Sequence, residues 1–445
     1  MLAALGSGSG KTVITCGLLA ALKRRGLPVQ SFKCGPDYID PMFHTRVLGI
    51  PSRNLDLFLQ GKSGVRQSLT RQTEEVALIE GVMGFYDGIG GAVDGSAWDI
   101  ACTADLPVVL VLRPKGASVT LAAQIRGLQT FRTPSRIAGL LLNDCKSALC
   151  AHLTPLLERE TGLPVLGCLP PMEEARLDSR HLGLLTAGEI ADCAARFDAI
   201  ARQMEKTVDL PALLALAGEA PENRASPPRP PSRCRIAVAR DAAFCFCYQD
   251  NLDRLEENGA RIVFFSPLHD RSLPPQVDGL YLVGGYPELY AQALSENRRM
   301  RASILRAVGE GLPTVAECGG FLYLQQTLED GDGVPWPMAG VLPGAGFKTS
   351  RLQRFGYLTL TAAEDSLLFE RGETVPAHEF HYWDCTQNGG AFTGQKPGGG
   401  PAWRCGVTSP DLYAAFPHLY FSGEMARRFT DRAAAWKGVH RCKQN

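Results

Sequence analysis

Short apolar runs alternate with amphipathic stretches along almost the whole chain. That alternation predicts strand and helix in turn, and so α/β architecture with mostly parallel sheets. Val29 to Lys33, Val76 to Glu80, Val108 to Leu112, Ile137 to Leu142 and Val165 to Leu166 read as buried strands. Val13 to Arg25 reads as a helix, with Ile14, Leu18, Leu19 and Leu22 on one side. Gly26 is placed to cap it and Pro28 prevents its return. The pattern breaks at 219–233, where five prolines and no apolar periodicity predict a semi-extended linker. It resumes with strands at Arg235 to Ala239, Gly279 to Val283 and Pro313 to Ala316. The expected organisation is therefore a first domain at 1–218, a linker at 219–233 and a second domain at 234–445. Residues 386–402 are Gly-rich and read as a mobile loop.

Length agrees with this division, since 445 residues exceed one ordinary core. Lys plus Arg equals Asp plus Glu, 46 each, so the formal charge is zero. That balance gives no footprint for nucleic acid or an acidic membrane. No apolar run approaches the roughly 20 residues of a membrane span. A glycine loop begins almost at the first residue and leaves no room for a signal peptide, so a cytoplasmic protein is expected. The 14 cysteines then read as reduced thiols. Cys245 and Cys247 are too close for metal-finger spacing.

Chemistry enters at Gly6-Ser7-Gly8-Ser9-Gly10-Lys11-Thr12. Glycines let backbone amides turn toward phosphate oxygens, Lys11 adds a positive charge, and Thr12 offers a hydroxyl to Mg²⁺. The usual loop would have Gly where Leu5 stands, so this is a variant. Gly8, Ser9, Gly10, Lys11 and Thr12 are the expected ATP-binding residues. Asp37 and Asp40 follow the strand that ends at Lys33. From position alone they serve equally well as ligand-binding acids or as caps of a Pro-flanked turn. Glu80 ends an apolar strand, where an acid can reach Mg²⁺ directly or through water. Asp87 lies in the loop beyond. Asn143, at a strand end, either reads a base edge or turns the chain.

In the second half, Gly284-Gly285 follows a strand and exposes backbone N–H groups. Glu317-Cys318-Gly319-Gly320 reads as strand, sharp turn, helix, with Cys318 at the apex. An exposed Cys at a helix N-terminus favours thiolate, so Cys318 is the expected nucleophile. Gly285 and Gly319 are the expected oxyanion donors. Its base is sought among the histidines: His418, in an apolar strand-like segment, is weakly preferred over the second candidate pair, His378 and His381.

Together these segments resemble the cobyrinic acid a,c-diamide synthase family. The match runs in order through essentially the whole chain: 7–12, 33–41, 54–56, 80–88, 180–184, 239–244, 265–267, 284–288, 317–320, 378–382 and His418. Gly-Pro-Asp-Tyr-Ile-Asp-Pro and Glu-Gly-Val-Met-Gly-Phe-Tyr-Asp-Gly are its specific signatures. The resemblance implies a dethiobiotin-synthetase-like ATP domain joined to a triad-type glutamine amidotransferase domain. It implies Cys318 as nucleophile, His418 as its base, and Asp37, Asp40, Glu80 and Asp87 in the synthetase chemistry. It also implies ATP as co-substrate, Mg²⁺ as cofactor, cobyrinic acid and glutamine as substrates, and passage of ammonia between domains. A homodimer is compatible with it. Many triad amidotransferases carry Glu two residues past the His, and that place is Tyr420 here, so backbone or His381 is left to orient His418. Two other readings stand beside it: a nickel-sirohydrochlorin a,c-diamide synthase, and a partitioning-type ATPase with an inert tail.

Overall fold

The computed structural model describes residues 1–71, 75–176, 193–218 and 230–441. The family-like segment at 180–184 and most of the proline-rich linker lie outside the described residues. The chain divides into two compact units, Met1–Ser226 and Pro227–Asn445. Among the described residues no helix is long and apolar enough to cross a membrane, and the 13 described cysteines are free.

The first unit contains β1 (Leu2–Ala4), β2 (Val29–Cys34), β3 (Ser52–Leu55), β4 (Val76–Glu80), β5 (Val108–Leu112), β6 (Ile137–Asn143) and β7 (Val165–Leu169). They form one sheet in the order β3-β2-β4-β1-β5-β6-β7, parallel at every pairing. The strand order reverses beside β1, so the loop after β1 opens at the topological switch point where such sheets bind ligands. Helix α1 (Lys11–Arg24) fills the space behind that loop. It is buried from Val13 through Leu22, on nearly every face rather than along the predicted stripe. Ile14, Leu18, Leu19 and Leu22 are 0–1% exposed, each worth about 2 kcal/mol of burial. Lys23 and Arg24 lie in its last turn, where they suit the dipole. After β2 the chain does not run as an open loop. A helical turn at Ile39–Met42 and a wider one at Phe43–Val47 carry His44 fully inside.

The second unit holds two larger sheets. One has six strands, in the order Ala260–Phe265, Cys234–Ala239, Gly279–Leu282, Thr314–Glu317, Leu412–Ala415, Val407–Ser409. Its pairings are parallel except for the last. The other departs from the parallel expectation. Trp403–Cys405, Phe392–Gln395, Arg354–Ala362, Thr374–His381 and His418–Leu419 make a wholly antiparallel sheet. Its strands alternate in burial: Leu358, Leu360 and Ala362 are inside, and so are Val375, Ala377, Glu379 and His381. That period of two marks a sheet with one covered face. The Gly-rich stretch expected as a mobile loop contributes Phe392–Gln395, paired on both sides.

Candidate active sites

β1 delivers the chain into the glycine loop, and α1 begins at Lys11. Gly10 has φ +85°, and a Cβ there would stand 2.1 Å from Asn143 Nδ2. Asn143 donates to Ser9 O at 2.9 Å and Arg113 donates to Gly8 O at 2.9 Å. So Asn143 holds the loop rather than simply turning the chain. Lys11 Nζ donates to Gly6 O at 3.2 Å and to Met83 O at 2.5 Å. Burial, helped by the charge of Lys33, brings its pKa down to about 8. Thr12 donates its hydroxyl to Glu80 Oε1 at 2.8 Å and lies 3.3 Å from Asp40 Oδ1.

Behind Thr12 the acids meet cations that the sequence reading left without a role. Lys33 Nζ pairs with Asp40 Oδ2, lies 3.0 Å from Glu80 Oε1 and 3.8 Å from Asp37 Oδ2. His44 Nε2 is 3.5 Å from Glu80 Oε2, and its Nδ1 is 2.6 Å from the Ser31 hydroxyl. The signal available for Lys33 was a lysine in the last two residues of a buried strand; the register that sets it across from Glu80 came only with the structure. Burial would push the Glu80 carboxyl up, but Lys33 and His44 hold it well below the usual carboxylate range. Asp40 goes the other way, raised by burial and by the charge of Glu80. Burial opposes the charge on Lys33, yet Asp40 and Glu80 outweigh it and raise that pKa well above its ordinary value.

Asp37 and Asp87 are placed differently. Asp37 Oδ1 accepts from Ile39 N at 2.8 Å, as a turn cap would. Asp87 Oδ2 accepts from Gly84 N at 3.0 Å, closing the Gly84–Asp87 turn that follows Met83, whose φ is +46°. Of the predicted set, Thr12, Asp40 and Glu80 meet directly, and Lys11 is coupled to Glu80, Asp40 and Asp87 by charge.

In the second unit Cys318 sits between the strand Thr314–Glu317 and a helix at Gly319–Leu324, with φ +47° and ψ −103°. Its backbone N–H donates to Ala415 O at 2.8 Å. A Cβ on Gly320 would fall 2.2 Å from Leu282 O, and one on Gly319 would fall 2.9 Å from Gly285 N. Bare backbone is what lets the turn at Gly285 and the helix start at Gly319 lie side by side. The expected exposed thiolate is corrected here. Cys318 is 6% exposed and the helix behind it has six residues. Burial pushes the thiol pKa well up, and the nearby carboxylates of Glu288 and Glu379 add to that. The Gly319 N–H acts in the opposite sense without prevailing. This environment favours the thiol over the thiolate at Cys318.

His418 lies on the strand paired with Ala377 and His378. Its ring rests over Gly284, where a Cβ would be 2.3 Å from Cε1. The Phe246 ring meets it edge-on at 6.4 Å. Nδ1 is 3.8 Å from Glu317 Oε2, with both side chains 1% exposed. Glu317 accepts the Tyr281 hydroxyl on Oε2 at 3.1 Å and the Leu419 N–H on Oε1 at 3.1 Å. His381 is engaged elsewhere: Nδ1 is 2.5 Å from Trp383 O, Nε2 is 3.0 Å from Glu379 Oε1, and the ring stacks on Phe416 at 3.9 Å. Burial, with His418 nearby, lowers the His378 pKa to about 3.

Comparison with known proteins now bears on these two sites. Residues 1–185 match the CobQ/CobB/MinD/ParA nucleotide binding domain and residues 235–424 the CobB/CobQ-like glutamine amidotransferase domain. The chain is 39% identical over 423 residues to the cobyrinate a,c-diamide synthase of Clostridium tetani, covering 94% of this chain and 96% of that one. It is 40% identical over 444 residues to that of Salmonella typhimurium, covering 95% of each. The chain belongs to the cobyrinate a,c-diamide synthase family. Like other members it is a glutamine-dependent, amide-forming ligase with ATP as co-substrate.

Within this family member, Lys33, His44, Glu317, Glu288 and Glu379 escaped the residue-by-residue reading. All are buried polar groups. Glu317 and Glu288 lie beside residues that were singled out, yet an acid next to a nucleophile in sequence does not announce which way it faces.

Proposed function

We propose that this chain amidates the a and c acetate carboxylates of cobyrinic acid in cobalamin biosynthesis, at the expense of ATP and glutamine. One observation carries the reading. A phosphate loop backed by buried acids and, in the second unit, a Cys elbow and a buried His418 occur in one chain, matched nearly end to end by relatives named for that reaction.

In the second unit the Cys318 sulfur attacks the glutamine side-chain amide carbon while His418 takes its proton. Gly285 and Gly319 N–H groups hold the oxyanion. His418 gives the proton to departing ammonia, and water then frees glutamate from the thioester. In the first unit a substrate carboxylate attacks the γ-phosphorus of ATP, ADP leaves, and an acyl phosphate forms. Ammonia attacks its carbonyl carbon and phosphate departs. Activation is required because a free carboxylate has no leaving group. Lys11 and the loop amides at Gly8, Ser9 and Gly10 bind the phosphates. Lys33 keeps Glu80 charged and in place, while Asp37 and Asp87 shape the turns around it. The Glu80 Oε2 atom is buried without a hydrogen-bond partner, and the Thr12 hydroxyl adjoins Glu80, so these two residues fit Mg²⁺. The ion would neutralise phosphate charge when bound. Mg²⁺ in nucleotide sites is commonly held by few protein groups together with substrate phosphates and water.

The test is a mass time course with ATP, Mg²⁺, glutamine and cobyrinic acid. Two successive losses of about one mass unit are expected, one for each replacement of OH by NH₂, with the monoamide appearing first. Cys318→Ala should abolish this with glutamine and leave it intact with high ammonium. Inactivity on every corrin, with turnover of a nickel sirohydrochlorin, would overturn the substrate. Equal loss from both nitrogen donors would overturn the division of labour.

A further inference from the structure

A base for Cys318 must present an unprotonated ring nitrogen to the thiol and keep its proton on the other. A carboxylate on the Nδ1 side enforces that tautomer and favours the imidazolium that forms when the thiol gives up its proton. The place two residues past His418 holds Tyr420 and supplies no such group. We propose that Glu317, the residue immediately before the nucleophile, is the carboxylate that positions His418. This inference rests on the reading of Cys318 and His418 as the glutamine-hydrolysing pair.

Three observations carry it. Glu317 Oε2 lies 3.8 Å from His418 Nδ1, with both groups 1% exposed. That separation is longer than a hydrogen bond and short enough for a buried charge to act on the ring. Second, the carboxylate is fixed at both oxygens, by the Tyr281 hydroxyl and by the N–H of Leu419, each at 3.1 Å. The second of these ties the acid to the residue next to His418, so acid and base are held in one frame. Third, His381 already serves Glu379 and Trp383 O. The imidazole is also confined sterically, between the bare face of Gly284 and the edge of Phe246.

The proton balance is simple. The Cys318 S–H proton passes to the nitrogen of His418 that faces the thiol as the S–C bond forms. It passes on to the leaving nitrogen as the C–N bond breaks. Glu317 neither takes nor gives this proton and is a positioning residue. Titratable groups around the pair include His378 on the adjoining strand, Cys318 itself, and Tyr281, Cys247 and Tyr413 around Glu317. Glu288 and Glu379 act on Cys318.

The experiment compares Glu317→Gln and Glu317→Asp in the full chain, with glutamine and with ammonium, across pH. Glu317→Gln should cut kcat with glutamine by about 10²–10⁴-fold. KM for glutamine should stay within about threefold and ammonium-driven amidation within about twofold. Loss of the negative charge makes the imidazolium easier to deprotonate, so the acid limb of kcat/KM for glutamine should move to lower pH. Glu317→Asp should recover about tenfold of the loss. A glutamine rate within threefold of the parent, or a lower rate with an unmoved acid limb, overturns the proposal. If Glu317→Gln also destroys the ammonium reaction, Tyr281→Phe decides. A loss of about threefold confined to glutamine supports the role, and no loss overturns it. Cys318→Ala separates the two levels. If that variant still hydrolyses glutamine, the reading of the site falls. If it is dead while Glu317→Gln is nearly normal, only the role of Glu317 falls.

Discussion

Glu80 and Glu288 are both buried carboxylates beside a residue that is proposed to do chemistry, and burial leaves them in opposite states. Glu80 has Lys33 at 3.0 Å and His44 at 3.5 Å, and its pKa is held far down. Among the described residues Glu288 has no such cation, and burial pushes its pKa up to about 7. The phosphate-loop unit thus carries its charges compensated before any substrate arrives. Around Glu288 the cysteine unit instead favours neutral forms: burial raises the Cys318 thiol and the Glu288 carboxyl, and it lowers the His378 imidazole. The same low-dielectric interior does both, and the presence of a counter-charge decides which.

The sharpest way to break this contrast is to remove Lys33. Lys33→Met should leave Glu80 and Asp40 without their cation and cost about 3–5 kcal/mol of stability at neutral pH. Urea unfolding measures it, and a loss below about 1 kcal/mol would mean the cluster is not held by Lys33. The sign with pH follows from Glu80. Its folded pKa is depressed below the ordinary 4.5, so its stabilising contribution is present above that value and fades as pH falls toward the folded pKa. The gap between parent and variant should therefore narrow in acid. Amide formation should be lost with both nitrogen donors, while Cys318 should still react with a thiol-directed glutamine analogue.

A smaller effect of opposite sign is expected at Glu288. Its folded pKa, about 7, lies above the ordinary 4.5. Its favourable contribution is full below 4.5 and is lost as pH rises through 7. Glu288→Gln should therefore stabilise the protein at pH 8 by up to about 3 kcal/mol, with the difference gone near pH 4.5. Unfolding free energies at the two pH values test this. The alkylation profile of Cys318 should also shift to lower pH, because one of the charges that raise the thiol pKa is gone. An unmoved profile would show that Glu288 does not act on the nucleophile.

The least disruptive probe is Asn143→Ala. It deletes one hydrogen bond to the phosphate loop, worth about 1 kcal/mol. KM for ATP should rise about fivefold, the equivalent of that energy, with glutamine hydrolysis by the second unit untouched. An unchanged KM would mean that the loop keeps its shape without Asn143.

Some of these features were legible from residue order because the physics behind them is local. Buried parallel strands are continuous apolar runs, so Val76–Glu80 and Val108–Leu112 were readable to the residue. The glycine loop and the elbow at Cys318 were readable because positive φ and close backbone approach demand glycine or strain at fixed offsets. The antiparallel sheet that carries His418 was missed. Its strands are half-buried, and Phe392–Gln395 hides in a Gly-rich stretch that looks like a loop.

By itself the sequence determined the strand–loop–helix grammar of both units, the identity of the phosphate loop and the cysteine turn, and the family. Tertiary structure alone decided the protonation landscape. Whether Cys318 is exposed, whether Glu80 meets a lysine, and which acid faces His418 depend on what packs against them from distant segments. Burial and neighbouring charge set a pKa, and neither is a property of local sequence. Glu317 precedes Cys318 by one residue, yet it is distant Leu419 and Tyr281 that fix its carboxylate beside His418.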